Sequence, residues 1–126
     1  MKNEETENLG VRTKRFALRI IRLFGHLPKT TEAQVIGKQV LRSGTSVGAN
    51  YREAYRARSK AEYVAKLGNS LMELEETGYW FELLTDSGIV EPGKLADLAT
   101  ECDELTAIFV ASIKKAKSSS GRGLAV

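Results

Sequence analysis

One cysteine, one histidine, two prolines and one tryptophan stand among 126 residues, and each scarcity removes a class of protein. A lone Cys102 cannot close an intramolecular disulfide, and its apolar helical position between Leu98 and Leu105 reads as a small buried core residue. A lone His26 leaves any Ser or Cys nucleophile short of a positioned base. It also leaves no Glu-x-x-His pairs of the kind that hold two metals inside a helical bundle. Apolar runs last only a few residues, far short of the ~20 needed to cross a bilayer. The opening Met1-Lys2-Asn3-Glu4-Glu5-Thr6-Glu7 is acidic where a secretory signal would be basic and then apolar, so the cytoplasm is the expected location. No sustained β-alternation and no internal repeat is visible.

What remains is an ordinary globular composition, 42% hydrophobic and 28% charged, in a length that suits one domain around one core. The net charge of +3 is too small to announce a nucleic-acid binder by itself, so the distribution of charge must decide.

Apolar residues recur at helical spacing in four stretches. The first carries Phe16, Ile20, Leu23, Phe24 and Leu27, with Arg12, Arg15, Arg19 and Arg22 forming a second stripe, and ends at Gly25 and Pro28. The second starts after Thr30 and Thr31, runs to about Arg56, and carries Ile36, Val40, Val47, Tyr51 and Ala54. Ser59 and Glu62 form a capping box for the third, in which the carboxylate reaches back to the cap amide. Its inward seam reads Val64, Leu67, Leu71, Leu74, Gly78 and Phe81, with Trp80, Leu83 and Leu84 broadening the face. Asp86-Ser87-Gly88 is turn chemistry, and Pro92 suits the first turn of a fourth helix carrying Leu95, Leu98, Cys102, Leu105 and Phe109. The pattern predicts an all-α, antiparallel up-down-up-down four-helix bundle over residues 11–117, with a polar arm at 1–10 and a flexible tail at 118–126.

The second stretch holds Arg42-Ser43-Gly44-Thr45-Ser46-Val47-Gly48-Ala49-Asn50. Each interior glycine costs a helix ~1 kcal/mol against alanine, so the density of small residues implies a tertiary reason. Gly44 and Gly48, one turn apart, leave a shallow groove where another helix can approach, from this chain or from a second copy.

This block, continued by Tyr51-Arg52-Glu53-Ala54, Arg58-Ser59-Lys60-Ala61-Glu62, Leu67, Ser70-Leu71, Glu73-Leu74-Glu75-Glu76 and Tyr79-Trp80-Phe81-Glu82-Leu83-Leu84, resembles the bacterial intervening-sequence protein family. That family is associated with inserts in large-subunit ribosomal RNA genes and is related to accessory proteins of diversity-generating retroelements. Many of its members have proline where Gly48 stands here. The resemblance implies an antiparallel bundle, a ring-like homopentamer, and a non-catalytic role with RNA, DNA or a nucleic-acid enzyme. It brings no catalytic residues.

The candidate nucleic-acid surface is Arg12, Arg15, Arg19 and Arg22 with Lys38, Arg52, Arg56, Arg58 and Lys60, because guanidinium groups bind phosphate bidentately and release condensed counterions. A solvated helix face is the competing reading. Glu73, Glu75, Glu76 and Glu82 have no histidine beside them, so no metal site and no cofactor is expected. Glu75 or Glu76 is instead expected to pair with Arg42 and fix the register of the second and third helices. His26 reads as a helix cap. Neither Gly37-Lys38-Gln39 nor Gly93-Lys94-Leu95 has the preceding glycine of a phosphate loop. The tyrosines and Trp80 read as core or interface rather than as a base-stacking platform. The alternative function is a protein-interaction adaptor working through Gly44, Gly48, Trp80 and neighbouring apolar residues.

Overall fold

In the computed structural model, which describes residues 4–119 and the side chains from Leu9 onward, the chain forms α1 (Glu4–His26), α2 (Thr31–Tyr55), α3 (Lys60–Asp86) and α4 (Pro92–Ser118). There is no strand among the described residues. Consecutive helices are antiparallel neighbours, and α1 returns to touch α4 only lightly, so the four form an up-down-up-down bundle with one loose seam.

The boundaries follow from local chemistry. The Thr30 hydroxyl accepts from the Ala33 amide at 3.3 Å, and the Ser59 hydroxyl from the Glu62 amide at 3.0 Å, so each satisfies a first-turn donor that has no helical partner. Glu62 reaches back to the amide of Arg58, at 3.1 Å, one residue earlier than a capping box places it. Gly88 has φ +81°, which a side chain rarely tolerates, and it turns the chain from α3 toward Pro92. At the N-terminus, where a polar arm was expected through residue 10, α1 already runs from Glu4 and Leu9 is buried in the core. Of the tail expected at 118–126, Ser118 still ends α4 and Ser119 caps it, and residues 120–126 lie outside the described residues.

Phe16, Ile20, Val47, Leu67, Leu74, Leu84, Leu105 and Phe109 are sealed from solvent and form one continuous core. The inner face of α3 is rotated from the seam read in the sequence. Leu67, Ser70, Leu74, Thr77, Phe81 and Leu84 are buried, whereas Val64, Leu71 and Gly78 are half-buried. The buried hydroxyls explain the shift. Ser70 Oγ donates to the Val47 carbonyl at 2.9 Å, and Thr77 Oγ1 lies 2.7 Å from Ser43 Oγ. Small polar residues thus let α2 and α3 approach closely, and none is orphaned because each finds a partner. Cys102 behaves likewise: its thiol lies in the core, 3.4 Å from the Leu74 carbonyl.

The glycines of α2 seat α1. A Cβ built on Gly44 would lie 2.7 Å from Cγ1 of Ile20, and one on Gly48 would lie 3.1 Å from Oγ1 of Thr13. Both glycines therefore pack against α1 within the chain. Trp80 sits half-buried at the edge of the core with its ring 5.2 Å from that of Tyr79, and its indole Nε1 is enclosed without an acceptor.

Candidate nucleic-acid interface

The cations marked in the sequence divide into those already neutralised and those still available. Arg12 is of the first kind. Its Nη2 lies 2.7 Å from Glu101 and 3.0 Å from Glu104, its Nε donates to Glu101 at 3.0 Å, and its side chain is 18% exposed. The hydrogen bonds to Glu101 foremost hold its pKa above the ordinary arginine value, against a smaller cost of burial. It is a clasp between α1 and α4, and the four-arginine stripe loses its first member. Lys60 is also committed, donating to the Ala116 carbonyl at 2.8 Å and to Ser119 Oγ at 3.0 Å, which ties the start of α3 to the end of α4.

Arg42 makes the expected contact across α2 and α3, with Glu76 as expected and with Glu73 in place of Glu75. Nη1 lies 3.2 Å from Glu73 and Nη2 2.5 Å from Glu76, while Glu75 faces solvent. A three-residue spacing puts Glu73 and Glu76 on the edge facing α2, and Glu75 falls off that edge. Lys66 pairs with Glu53 at 2.7 Å on the same seam. Among the described residues no three His, Cys, Asp or Glu side chains come together in a metal-holding group. His26 Nδ1 donates to the Arg22 carbonyl at 2.8 Å, a helix-end contact as its position suggested.

Arg15, Arg19, Arg22, Arg52, Arg56 and Arg58 remain outside any ion pair among the described residues. They do not form one patch. Arg19 and Arg22 border the gap between α1 and α4, whereas Arg52 borders a shallow groove of about 290 Å³ between α1 and α2. The floor of that second groove is made of Ala17, Thr45, Gly48 and Ala49, and Lys14 stands opposite Arg52 on its α1 bank. Lys38, Thr45, Ala49, Arg52 and Arg56 follow one another at steps of seven, four, three and four, so they line the outer face of α2. Between Leu9 and His26 there is no acidic residue at all. The result is a cationic track with a small-residue floor. Lys14 escapes a reading of the sequence because its position beside Arg52 depends on Gly48 admitting Thr13 to close contact, which the separate helical patterns do not show.

Tyr51 supplies no stacking surface here. Tyr51 is buried edge-on against Phe109, with ring centroids 6.0 Å apart, and burial pushes its hydroxyl pKa up. Cys102 is equally sequestered, its thiol pushed up to about 12 mainly by burial. Among the described residues no helix is long and apolar enough to cross a membrane.

The bundle has solved relatives. A crystal structure of a protein of unknown function from the S23 ribosomal protein family of Bacteroides thetaiotaomicron superposes with a TM-score of 0.82 at 35% identity, covering 86% of this chain and 97% of that one. No curated protein matches. The profile of the 23S rRNA-intervening sequence proteins matches residues 9–111, taking in the cores of all four helices, the glycine seats and the Arg42 contact. On that span and that fold, the chain belongs to the 23S rRNA-intervening sequence protein family.

Proposed function

We propose that this protein is a non-catalytic, cytoplasmic, self-associating scaffold that holds nucleic acid along the outer face of α1 and α2. The observation that carries the reading is the groove between Lys14 and Arg52. Small side chains on its floor let a sugar–phosphate backbone approach, cations stand on both banks, and Lys38 and Arg56 extend the charge along α2. Such contacts bind by releasing counterions and read no base sequence. Arg12 and Lys60 have no part in it, since carboxylates and a carbonyl already hold them.

Self-association is supported by Val11, Leu18 and Ile21, which are 55%, 46% and 49% exposed at heptad-like spacing on the outer side of α1. Lys14 lies in the same stripe, three residues after Val11 and four before Leu18, so copies joined through it would bring their cationic tracks together at the subunit boundary, where weak phosphate contacts add.

Light scattering and fluorescence anisotropy with single-stranded RNA at several salt concentrations test both parts. Binding should weaken steeply with salt. Replacing Lys14, Arg52 and Arg56 by alanine should lower the slope of log affinity against log salt by about one for each phosphate no longer engaged. Absence of binding at low salt by the assembled protein refutes the nucleic-acid role. A second reading, a protein adaptor, is favoured by the exposed Met72 and Tyr79 on the outer side of α3, and predicts a protein partner indifferent to those three substitutions.

A further inference from the structure

The seam between α1 and α4 is closed at one end and open at the other. At the closed end Arg12 is held by Glu101 and Glu104. One heptad further along the antiparallel pair, Arg19 takes the place of Arg12, but Lys94 takes the place of Glu101 and Asp97 that of Glu104. The clasp cannot repeat, because a like charge now stands where a carboxylate did. The helices part there around a groove of about 830 Å³, closed at its end by Pro28 and the α3–α4 turn.

The floor of the groove is apolar, made by Leu23, Leu27, Leu95 and Leu98, and its α1 bank is entirely basic, with Arg19, Arg22 and His26. None of the charged groups around it lies within ion-pair distance of another. The clasp below shows what would satisfy the site: carboxylates three residues apart on a helix, meeting guanidinium from α1. An apolar floor adds the need for an aliphatic side chain between them. Phosphodiester backbone fits less well, because it brings no apolar group for the floor; Glu91 and Asp97 on the α4 bank repel phosphate and carboxylate alike and so confine either to the Arg19 and Lys94 side.

We propose that this groove receives an acidic amphipathic helix of a partner protein, with carboxylates three or four residues apart seated between Arg19 and Lys94 and a leucine-like side chain on the floor. This is helix-in-groove recognition with the charge pattern set by α1. The site is separate from the cationic track between α1 and α2, and a partner helix here leaves that track open.

The test titrates the full chain with a fluorescent synthetic helical peptide bearing a leucine stripe flanked by glutamates at three-residue spacing. A lysine-for-glutamate version and a single-stranded RNA oligonucleotide serve as the other probes. The glutamate peptide should bind saturably and the lysine version should not. Arg19→Glu with Arg22→Glu should weaken the glutamate peptide by about tenfold or more, the scale of reversing charges in an interface. Arg19→Gln with Arg22→Gln should weaken it less while leaving the melting temperature unchanged, and Arg52→Glu with Arg56→Glu should leave it unaffected. Equal binding of the two peptides, or indifference to the Arg19 and Arg22 changes, overturns the proposal. So does an outcome in which those changes abolish RNA binding and the glutamate peptide never engages, which assigns the groove to nucleic acid. Loss of RNA binding in the Arg52 and Arg56 variant alone bears only on the function proposed above.

Discussion

Replacing Gly44 by alanine should destabilise this protein, although the same change at Gly68 should stabilise it. Alanine is favoured over glycine in a helix by ~1 kcal/mol, so propensity alone predicts a gain. At Gly44, however, the new methyl would meet Ile20 Cγ1 at 2.7 Å, with Cδ1 and Cγ2 at 3.0 Å. Ordinary carbon contacts are ~3.5–4.0 Å, so the site is short by nearly 1 Å. Ile20 cannot swing away: it is fully buried, and its branched Cβ confines it to one main rotamer within a helix. Overpacking of this kind costs ~1–3 kcal/mol, which leaves a net loss of up to ~2 kcal/mol. Gly68 supplies the comparison, since a Cβ there meets nothing within 4 Å. Gly68→Ala should gain ~1 kcal/mol, and each kcal/mol moves the melting temperature of a domain this size by roughly 4 °C. Thermal melts followed by far-ultraviolet circular dichroism should therefore place Gly44→Ala below wild type and Gly68→Ala above it. Hydrogen exchange should show the loss as faster exchange throughout α1. If Gly44→Ala melted as high as Gly68→Ala, α1 would not rest on this glycine and the packing argument would fail.

The two arginine contacts should separate in the same assay. Arg42 is half exposed, so Arg42→Ala should cost ~0.2–1 kcal/mol, whereas Arg12→Ala strands a poorly exposed Glu101 and should cost ~1–2 kcal/mol; equal losses would contradict the assignment of Arg12 as the clasp. Cys102 should resist alkylation in the folded protein and react at the rate of unfolding, so rapid labelling under native conditions would show that it is not buried. Its thiol, ordinarily near 9, rises to about 12 in the fold, so the unfolded chain releases that proton first as pH climbs. Stability should consequently fall from about pH 9 toward 12, and Cys102→Ala should flatten that part of the profile even though it lowers stability at neutral pH.

Much of the fold is written in short-range chemistry, which is why the starts of α2, α3 and α4 can be read from Thr30, Ser59 and Pro92. The start of α1 carries no such mark. Polar residues at Glu4, Glu5 and Glu7 resemble an arm, and only the burial of Leu9 against the rest of the bundle shows otherwise. The inner face of α3 departs from its apolar pattern for a related reason. Periodicity counts Leu71 and passes over Ser70 and Thr77, whose burial depends on acceptors supplied by α2. The candidate interface is legible only as a supply of cations. Which of them are already paired depends on carboxylates far away in sequence, as Arg12 with Glu101 shows, and a net charge of +3 carries no trace of that pairing.

The hydroxyl contacts between α2 and α3 set the mechanical character of the molecule. Sliding either helix by one turn would pull Ser70 off the Val47 carbonyl and Thr77 off Ser43, leaving polar atoms bare inside a dry interior, where each costs ~1–3 kcal/mol. The central pair therefore behaves as a notched rail that resists gradual travel. Among the described residues α1 carries no such serine or threonine contact to another helix: it rests on the glycines of α2 and is tied to α4 by the Arg12 ion pairs.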